Sequence, residues 1–350
     1  MRSWRQCLDA AGIRANVVRA DYSVASRYLQ RREFVARGTL RVLFPPRSQP
    51  HAIAAYALGR YTDDLCDHGP VDGRAQRFDE WATQVGTALD TGHSRHPLIR
   101  AYLHSAGLLN LSRSWMDAYL AGTRIDVDFA GFACEVNFQH YVDTVTLPSC
   151  MFLSGAVARL VPEQRYISSL RLVAEGQQRA DFLTDLYEDL REGRLNLPVA
   201  DLDWYGVTRA DLREGLDTPA VRALITATAN SARATLIESE RILGEIAPDY
   251  RAFFRCAIGA AHMRVNAVQT SGAAVIRGPY RDAPVAALQV MVGSRRLGTS
   301  TRPLQRPGGS RKRIVISPLV AASTRGHPTG RVRRGQSWIG RTAGNLRARA

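Results

Sequence analysis

A chain of 350 residues with 45% hydrophobic content is long enough to bury one large core or two small ones, which excludes disorder throughout. Its formal net charge of +15 suggests a nucleic-acid binder, yet residues 291–350 carry 13 Arg and 1 Lys with no Asp or Glu, leaving 33 basic against 32 acidic residues before them. The basic character therefore belongs to a tail, and no nucleic acid is expected as a partner of the folded part.

From about Val24 to Tyr280 the pattern is helical, with Ala- and Leu-rich blocks and few β-branched runs. Taken in chain order, the blocks 50–68, 72–90, 97–121, 138–160, 163–192, 218–246 and 249–272 each predict one helix. Pro45-Pro46, Gly69-Pro70, His96-Pro97, Pro162, Leu197-Pro198 and Gly278-Pro279 punctuate them. An all-α bundle is expected. Beyond about residue 290 the composition turns to Gly, Ser, Arg, Thr and Pro, which cannot bury enough apolar surface to fix a fold, so a disordered tail is expected. Cys7, Cys66, Cys134, Cys150 and Cys256 contain no CxxC pair and read as reduced thiols. No apolar stretch is long enough to span a bilayer and no leader is evident, so a soluble, cytoplasmic protein is expected.

Two acidic clusters carry the chemistry. Asp63, Asp64 and Asp67 close the 50–68 helix, where i and i+4 place Asp63 and Asp67 on one face. Asp181, Asp185, Glu188 and Asp189 form a second stripe on the 163–192 helix, whose other faces are apolar through Leu170, Val173, Phe182 and Leu186. An acidic surface face at a helix end would account for either cluster alone. Two acidic stripes on two core helices are expensive unless a cation neutralises them. Magnesium fits, because it takes a few carboxylate oxygens and completes its octahedron with water and phosphate oxygens. Several ions held by Asp63, Asp64, Asp67, Asp181, Asp185, Glu188 and Asp189 would grip a diphosphate.

The run Tyr56-Ala57-Leu58-Gly59-Arg60-Tyr61-Thr62-Asp63-Asp64-Leu65-Cys66-Asp67 is similar to the first signature of the squalene and phytoene synthases. The run Asp185-Leu186-Tyr187-Glu188-Asp189-Leu190-Arg191-Glu192-Gly193-Arg194-Leu195-Asn196-Leu197-Pro198 resembles their second. The resemblance covers residues 24 to 285, and three positions depart from it. Asp181 stands where the family usually has Asn, Thr184 where it has Arg, and Asn196 where it has Tyr. Losing the guanidinium at 184 removes a cation for a diphosphate, with Arg60 and Arg194 left to compensate.

The resemblance implies a single isoprenoid-synthase-like helical bundle with a central cavity over 24–290, preceded by an N-terminal extension over 1–23 and followed by the tail from 291. It implies a magnesium-dependent transferase that ionises farnesyl or geranylgeranyl diphosphate and joins two molecules head to head. Asp63, Asp67, Asp185, Asp189, Arg60 and Arg194 would be catalytic, and Tyr56, Tyr141, Gln178 and Asp181 would bind substrate. Phe34, Tyr56, Tyr141, Phe152 and Phe182 are candidates to face the allylic cation, with core packing as the plainer reading of each. The absence of a nucleotide-binding loop disfavours an NADPH-dependent second step. An apolar product would add peripheral membrane contact. The alternatives are a terpene cyclase acting on one prenyl diphosphate and a non-enzymatic helical scaffold whose basic tail binds nucleic acid or lipid.

Overall fold

The computed structural model describes residues 2–67, 73–127, 129, 131–280 and 293–294, with the side chain of Asp67 outside that description. Apart from Gly293 and Ser294, the expected Arg-rich tail lies outside the described residues. Among the described residues the chain is helical without strands, as the periodicity predicts.

The chain opens with α1 (Trp4–Ala10), started by a reciprocal Ser3 and Gln6 capping box, and α2 (Asn16–Arg32). Cys7, Ile13 and Tyr22 are fully buried, and the Tyr22 hydroxyl hydrogen-bonds Ser105 at 2.6 Å. The boundary expected at residue 23 thus falls inside a continuous helix that belongs to the bundle. After α3 (Phe34–Leu43) comes α4 (Gln49–Asp67), which packs with α2 against α6 (Pro97–Leu109), while α5 (Arg74–Thr91) covers α4 from the other side. The block 97–121 is not one helix. Asn110 adopts the left-handed conformation at φ 52°, ends α6 and starts the link to α7 (Arg113–Val127).

The block 138–160 is also broken. It consists of α8 (Glu135–Tyr141), a π-helical turn over Val142–Thr146 and α9 (Leu147–Leu153). Leu147 N–H bonds the Val142 carbonyl five residues back, and Pro148 has no N–H to continue a regular ladder. Gly122 makes this turn possible: a Cβ there would run into the Thr144 carbonyl oxygen. Beyond α9 the chain runs beside the segment after α14, with Leu160 N–H donating to the Glu245 carbonyl at 2.8 Å.

The second half centres on α10 (Glu163–Thr184), which packs along α14 (Pro219–Ser239) and α15 (Pro248–Ser271). Gly176 sets the first of these crossings, since a Cβ there would stand 2.6 Å from Leu236 Cδ2. The expected helix 163–192 breaks at Asp185, separating α10 from α11 (Leu186–Arg191). At this place the Thr184 hydroxyl donates to the carbonyls of Ala180 at 3.2 Å and Asp181 at 3.0 Å, a type of contact often found where helices bend. Short helices α12 (Val199–Tyr205) and α13 (Arg209–Arg213) lead to α14, whose capping Thr218 accepts from Val221 N–H. The block 218–246 ends as α at Ser239 and continues as a 3-10 turn over Glu240–Gly244. α9 packs against both α4 and α10, so the two acidic segments lie on helices that share a neighbour.

Candidate active site

On α4 the half-buried Asp64 collects three donors from two helices. Arg32, in the last turn of α2, donates through Nε at 2.7 Å and Nη2 at 2.8 Å. Tyr28, one turn earlier, donates its hydroxyl to the same carboxylate, and Arg60 donates through Nε at 2.9 Å. Burial opposes the charge of Asp64, but the Arg32 and Tyr28 hydrogen bonds and the Arg60 guanidinium hold its carboxyl below the ordinary range. Arg60 also faces Glu33 at 3.5 Å. Glu33 is 1% exposed, and burial pushes its carboxyl up to about 7 despite Arg60, with Asp64 adding to the rise. Asp63 is buried, and burial together with its charge holds the Tyr119 hydroxyl well above its usual range. Asp67 completes the motif on the α4 backbone, but its side chain lies outside the described residues.

The second acidic segment straddles the α10–α11 break. Asp181 accepts from Arg264 Nη1, and Arg264 Nη2 donates to Gln177 Oε1 at 2.9 Å. Asp185 is half-buried at the break itself, where its N–H bonds the Asp181 carbonyl and its carbonyl accepts from Asp189 N–H. Glu188 is half-buried on α11 and Asp189 is fully buried. The end of α11 explains the environment of Asp189. Gly193 sits at φ 78°, its N–H bonds the Leu190 carbonyl at 3.2 Å, and Arg194 N–H reaches back to the Asp189 carbonyl at 2.7 Å. This Schellman closure turns Arg194 onto its own helix. Its Nη2 donates to Asp189 Oδ1 at 2.6 Å and to Glu192 at 2.9 Å, while Asn196 Nδ2 donates to Asp189 Oδ2 at 2.5 Å. The Asn that replaces the expected Tyr therefore caps the second oxygen of this carboxylate.

Arg60 and Arg194, expected to face a substrate, thus each hold a motif carboxylate. Arg179 and Arg191 are engaged elsewhere, as their helical positions imply: Arg179 lies 4.2 Å from the Phe138 ring centroid and bonds Glu175, and Arg191 bonds Tyr187. Thr184 is 3% exposed, with its hydroxyl on its own backbone. Arg264, Arg32, Tyr28 and Glu33 escaped the sequence reading. Arg32 and Tyr28, four residues apart at the end of a helix, gave a weak signal, whereas Arg264 lies 83 residues from Asp181 and gave none.

The expected lining residues separate into two groups. Tyr141 and Phe182 meet Phe129, Phe132 and Phe138 in an aromatic cluster, where the Tyr141 hydroxyl donates to Asp126 at 2.6 Å. This cluster flanks the α10 stripe, since Phe182 follows Asp181. Gln178 accepts from Thr146 of the π turn at 3.1 Å. Tyr56 lies in the main core near Cys150 of α9, where burial raises its hydroxyl. Cys150 is pushed up to about 12 by burial and then by Asp181, and α9, which carries it, packs against both α4 and α10. Phe34 is 64% exposed, and Phe152 stacks on Tyr119 at 4.5 Å in the core, so neither joins the aromatic cluster.

Among the described residues, no three or more His, Cys, Asp or Glu side chains stand together as a cluster able to hold a metal ion. The donors are nonetheless hard carboxylate oxygens, and a magnesium-type cation needs only one or two of them when phosphate supplies the rest. The donor set fits in chemistry, provided that arriving ligands displace guanidinium groups from Asp64, Asp181 and Asp189.

Residues 39–289 match the squalene/phytoene synthase family. The chain is 30% identical over 268 residues to the bifunctional protein CrtB/UppS of Streptomyces coelicolor, covering 74% of this chain and 46% of that protein, so it spans about half of that relative. It is also 30% identical over 220 residues to a phytoene synthase of Arthrospira platensis, covering 59% of this chain and 71% of the relative. A presqualene diphosphate synthase of Rhodopseudomonas palustris is 30% identical over 183 residues, 50% of this chain and 61% of the relative. Among solved structures, squalene synthase HpnC from Alicyclobacillus acidocaldarius superposes with a TM-score of 0.69 at 21% identity, over 77% of this chain and 100% of that one. A dehydrosqualene synthase superposes at 0.72 and 19% identity, over 80% of this chain and 96% of that one. The matched sequence takes in both acidic segments and the superposed structures share the all-helical fold: this chain belongs to the squalene/phytoene synthase family.

Proposed function

We propose that the protein is a magnesium-dependent transferase that condenses two prenyl diphosphates, farnesyl or geranylgeranyl, head to head. The observation that carries this reading is the pair of acidic segments, one on α4 and one at the α10–α11 junction, with α4 and α10 both packed against α9 and an aromatic cluster beside the second segment. Asp63, Asp64 and Asp67 on one side, and Asp181, Asp185, Glu188 and Asp189 on the other, are the residues that would hold magnesium. Bound there, the ions would neutralise the charge that develops on a departing diphosphate.

The chain's own groups do the remaining work. Arg60 and Arg194 orient Asp64 and Asp189 and bring cationic charge to the diphosphate side. The allylic C–O bond breaks with its electron pair leaving on the diphosphate. The double bond of the second prenyl chain supplies the pair for the new C–C bond, and a proton is then lost. Tyr141, Phe182 and their aromatic neighbours keep water from the allylic cation and offer it their ring faces. No helix among the described residues is long and apolar enough to cross a membrane, and a cytoplasmic enzyme with peripheral membrane contact for its apolar product suits this reading.

Incubating the purified protein with farnesyl or geranylgeranyl diphosphate and magnesium, then weighing the products, tests it. A doubled carbon skeleton is expected. A cyclised single skeleton would replace the condensation by a cyclase reaction, and no turnover of either substrate would defeat the proposal.

A further inference from the structure

The acidic stripe of α10 is met by a cation from a different helix. Arg264, on α15 and 8% exposed, directs one guanidinium nitrogen at Asp181 and another at Gln177, which stand one turn apart on α10. Gln177 Nε2 in turn donates to the Ala257 carbonyl of α15 at 2.8 Å. The guanidinium is therefore held by a brace that runs both ways between the two helices, and its plane is set by protein groups. Thr184, the α10 position at which a cation was expected, is neutral and bonded to its own backbone.

A buried guanidinium keeps its proton at any working pH, so the Asp181 pair is a fixed opposition of charges. Such pairs contribute little net stability, because both ions lose their hydration. A divalent cation can take Asp181 only if the displaced positive charge of Arg264 meets a new anion. Inorganic diphosphate, or the diphosphate end of a substrate, is the anion that arrives with the metal, and its oxygens match the geometry of a guanidinium fork.

We propose that Arg264 is a diphosphate-binding residue that pairs with Asp181 and transfers to a phosphate oxygen when a divalent cation takes that carboxylate. The proposal rests on the function inferred above, and it makes metal and diphosphate binding mutually dependent. Magnesium alone is opposed by Arg264, whereas magnesium with diphosphate is assisted by it. Removing Arg264 should therefore move the two affinities in opposite directions, which the loss of a merely structural brace would not do.

Titration calorimetry of the full chain with magnesium chloride alone, and with inorganic pyrophosphate at saturating magnesium, reads both affinities. Arg264→Gln should tighten magnesium binding and weaken magnesium-dependent pyrophosphate binding by about tenfold or more, the scale of a lost charge-assisted hydrogen bond. Arg264→Lys, which keeps the charge without the fork, should fall between and serves if the Gln variant does not fold. The same substitution in an Asp181→Asn background separates the two roles of the side chain. If the pyrophosphate loss persists there, Arg264 binds phosphate; if it vanishes, Arg264 only neutralises Asp181 and the proposal is wrong. Unchanged pyrophosphate affinity in Arg264→Gln also overturns it, whereas a wild-type chain that binds no magnesium pyrophosphate would defeat the proposed function itself.

Discussion

On α4, Asp64 is held by Arg32 from the end of a neighbouring helix, with that side chain 39% exposed, as well as by the buried Arg60 of its own helix; on α11, Asp189 takes its cation from its own helix cap, with Arg194 2% and Asp189 0% exposed. The first arrangement reaches the surface and links elements that could separate. The second is a local closure in the interior, fixed by the Gly193 turn and completed by Asn196. Two motifs of similar composition thus sit in different dielectric surroundings, and removing a carboxylate should have unequal consequences.

The largest expected effect follows directly. Asp189→Ala leaves Arg194 buried with only the exposed Glu192 for a partner, so urea denaturation should show a loss of about 3–5 kcal/mol. Asp64→Ala leaves Arg32 able to turn into water and the buried Arg60 still facing Glu33 and the charge of Asp63, and should lose less, about 1–2 kcal/mol. Equal losses would erase the distinction between the two sites.

Next comes a pH dependence belonging to the α4 side. Burial raises the Glu33 carboxyl to about 7 in the folded chain, above its ordinary 4.5. The folded state therefore binds the proton more tightly than the unfolded state. Its contribution to stability is complete below pH 4.5 and is lost as pH rises through 7. The shift corresponds to about 3 kcal/mol across that window. Glu33→Gln should flatten the stability profile between pH 4.5 and 7, and an unaltered slope in denaturation at several pH values would refute the assignment.

A smaller effect sharpens the α11 side. Asn196→Ala removes one of the hydrogen bonds to a fully buried carboxylate, and should lower stability by about 2 kcal/mol in the same denaturation experiment. No loss would mean that Asp189 does not depend on Asn196 for its hydrogen bonding.

The same contrast marks what could be read from the residues alone. The 50–68 block needed only its apolar run and its flanking prolines, and it matches α4 to within a residue at each end. The acidic stripe of 163–192 kept its helical phase across the break, so spacing gave no warning of it. The Thr184 hydroxyl bonds backward at the break, and no Pro or Gly marks the place. Asn110 hid a second break, because Asn is ordinary within a helix until its φ turns positive. Both carboxylate motifs were legible as local patterns, whereas their guanidinium partners were legible only where they lay close in the chain, as Arg60 and Arg194 do. Arg264 joins the site through the packing of α10 on α15, a contact that no local pattern contains.

In the proposed reaction both acidic segments act on one diphosphate through divalent cations. The most direct test is the initial rate of diphosphate release from farnesyl or geranylgeranyl diphosphate, with magnesium and with chelator, for the wild type, Asp63→Ala and Asp185→Ala. No release is expected without a divalent cation, and each variant should lose about 10²–10³-fold or more, with helical circular dichroism unchanged. Undiminished release by either variant would contradict it.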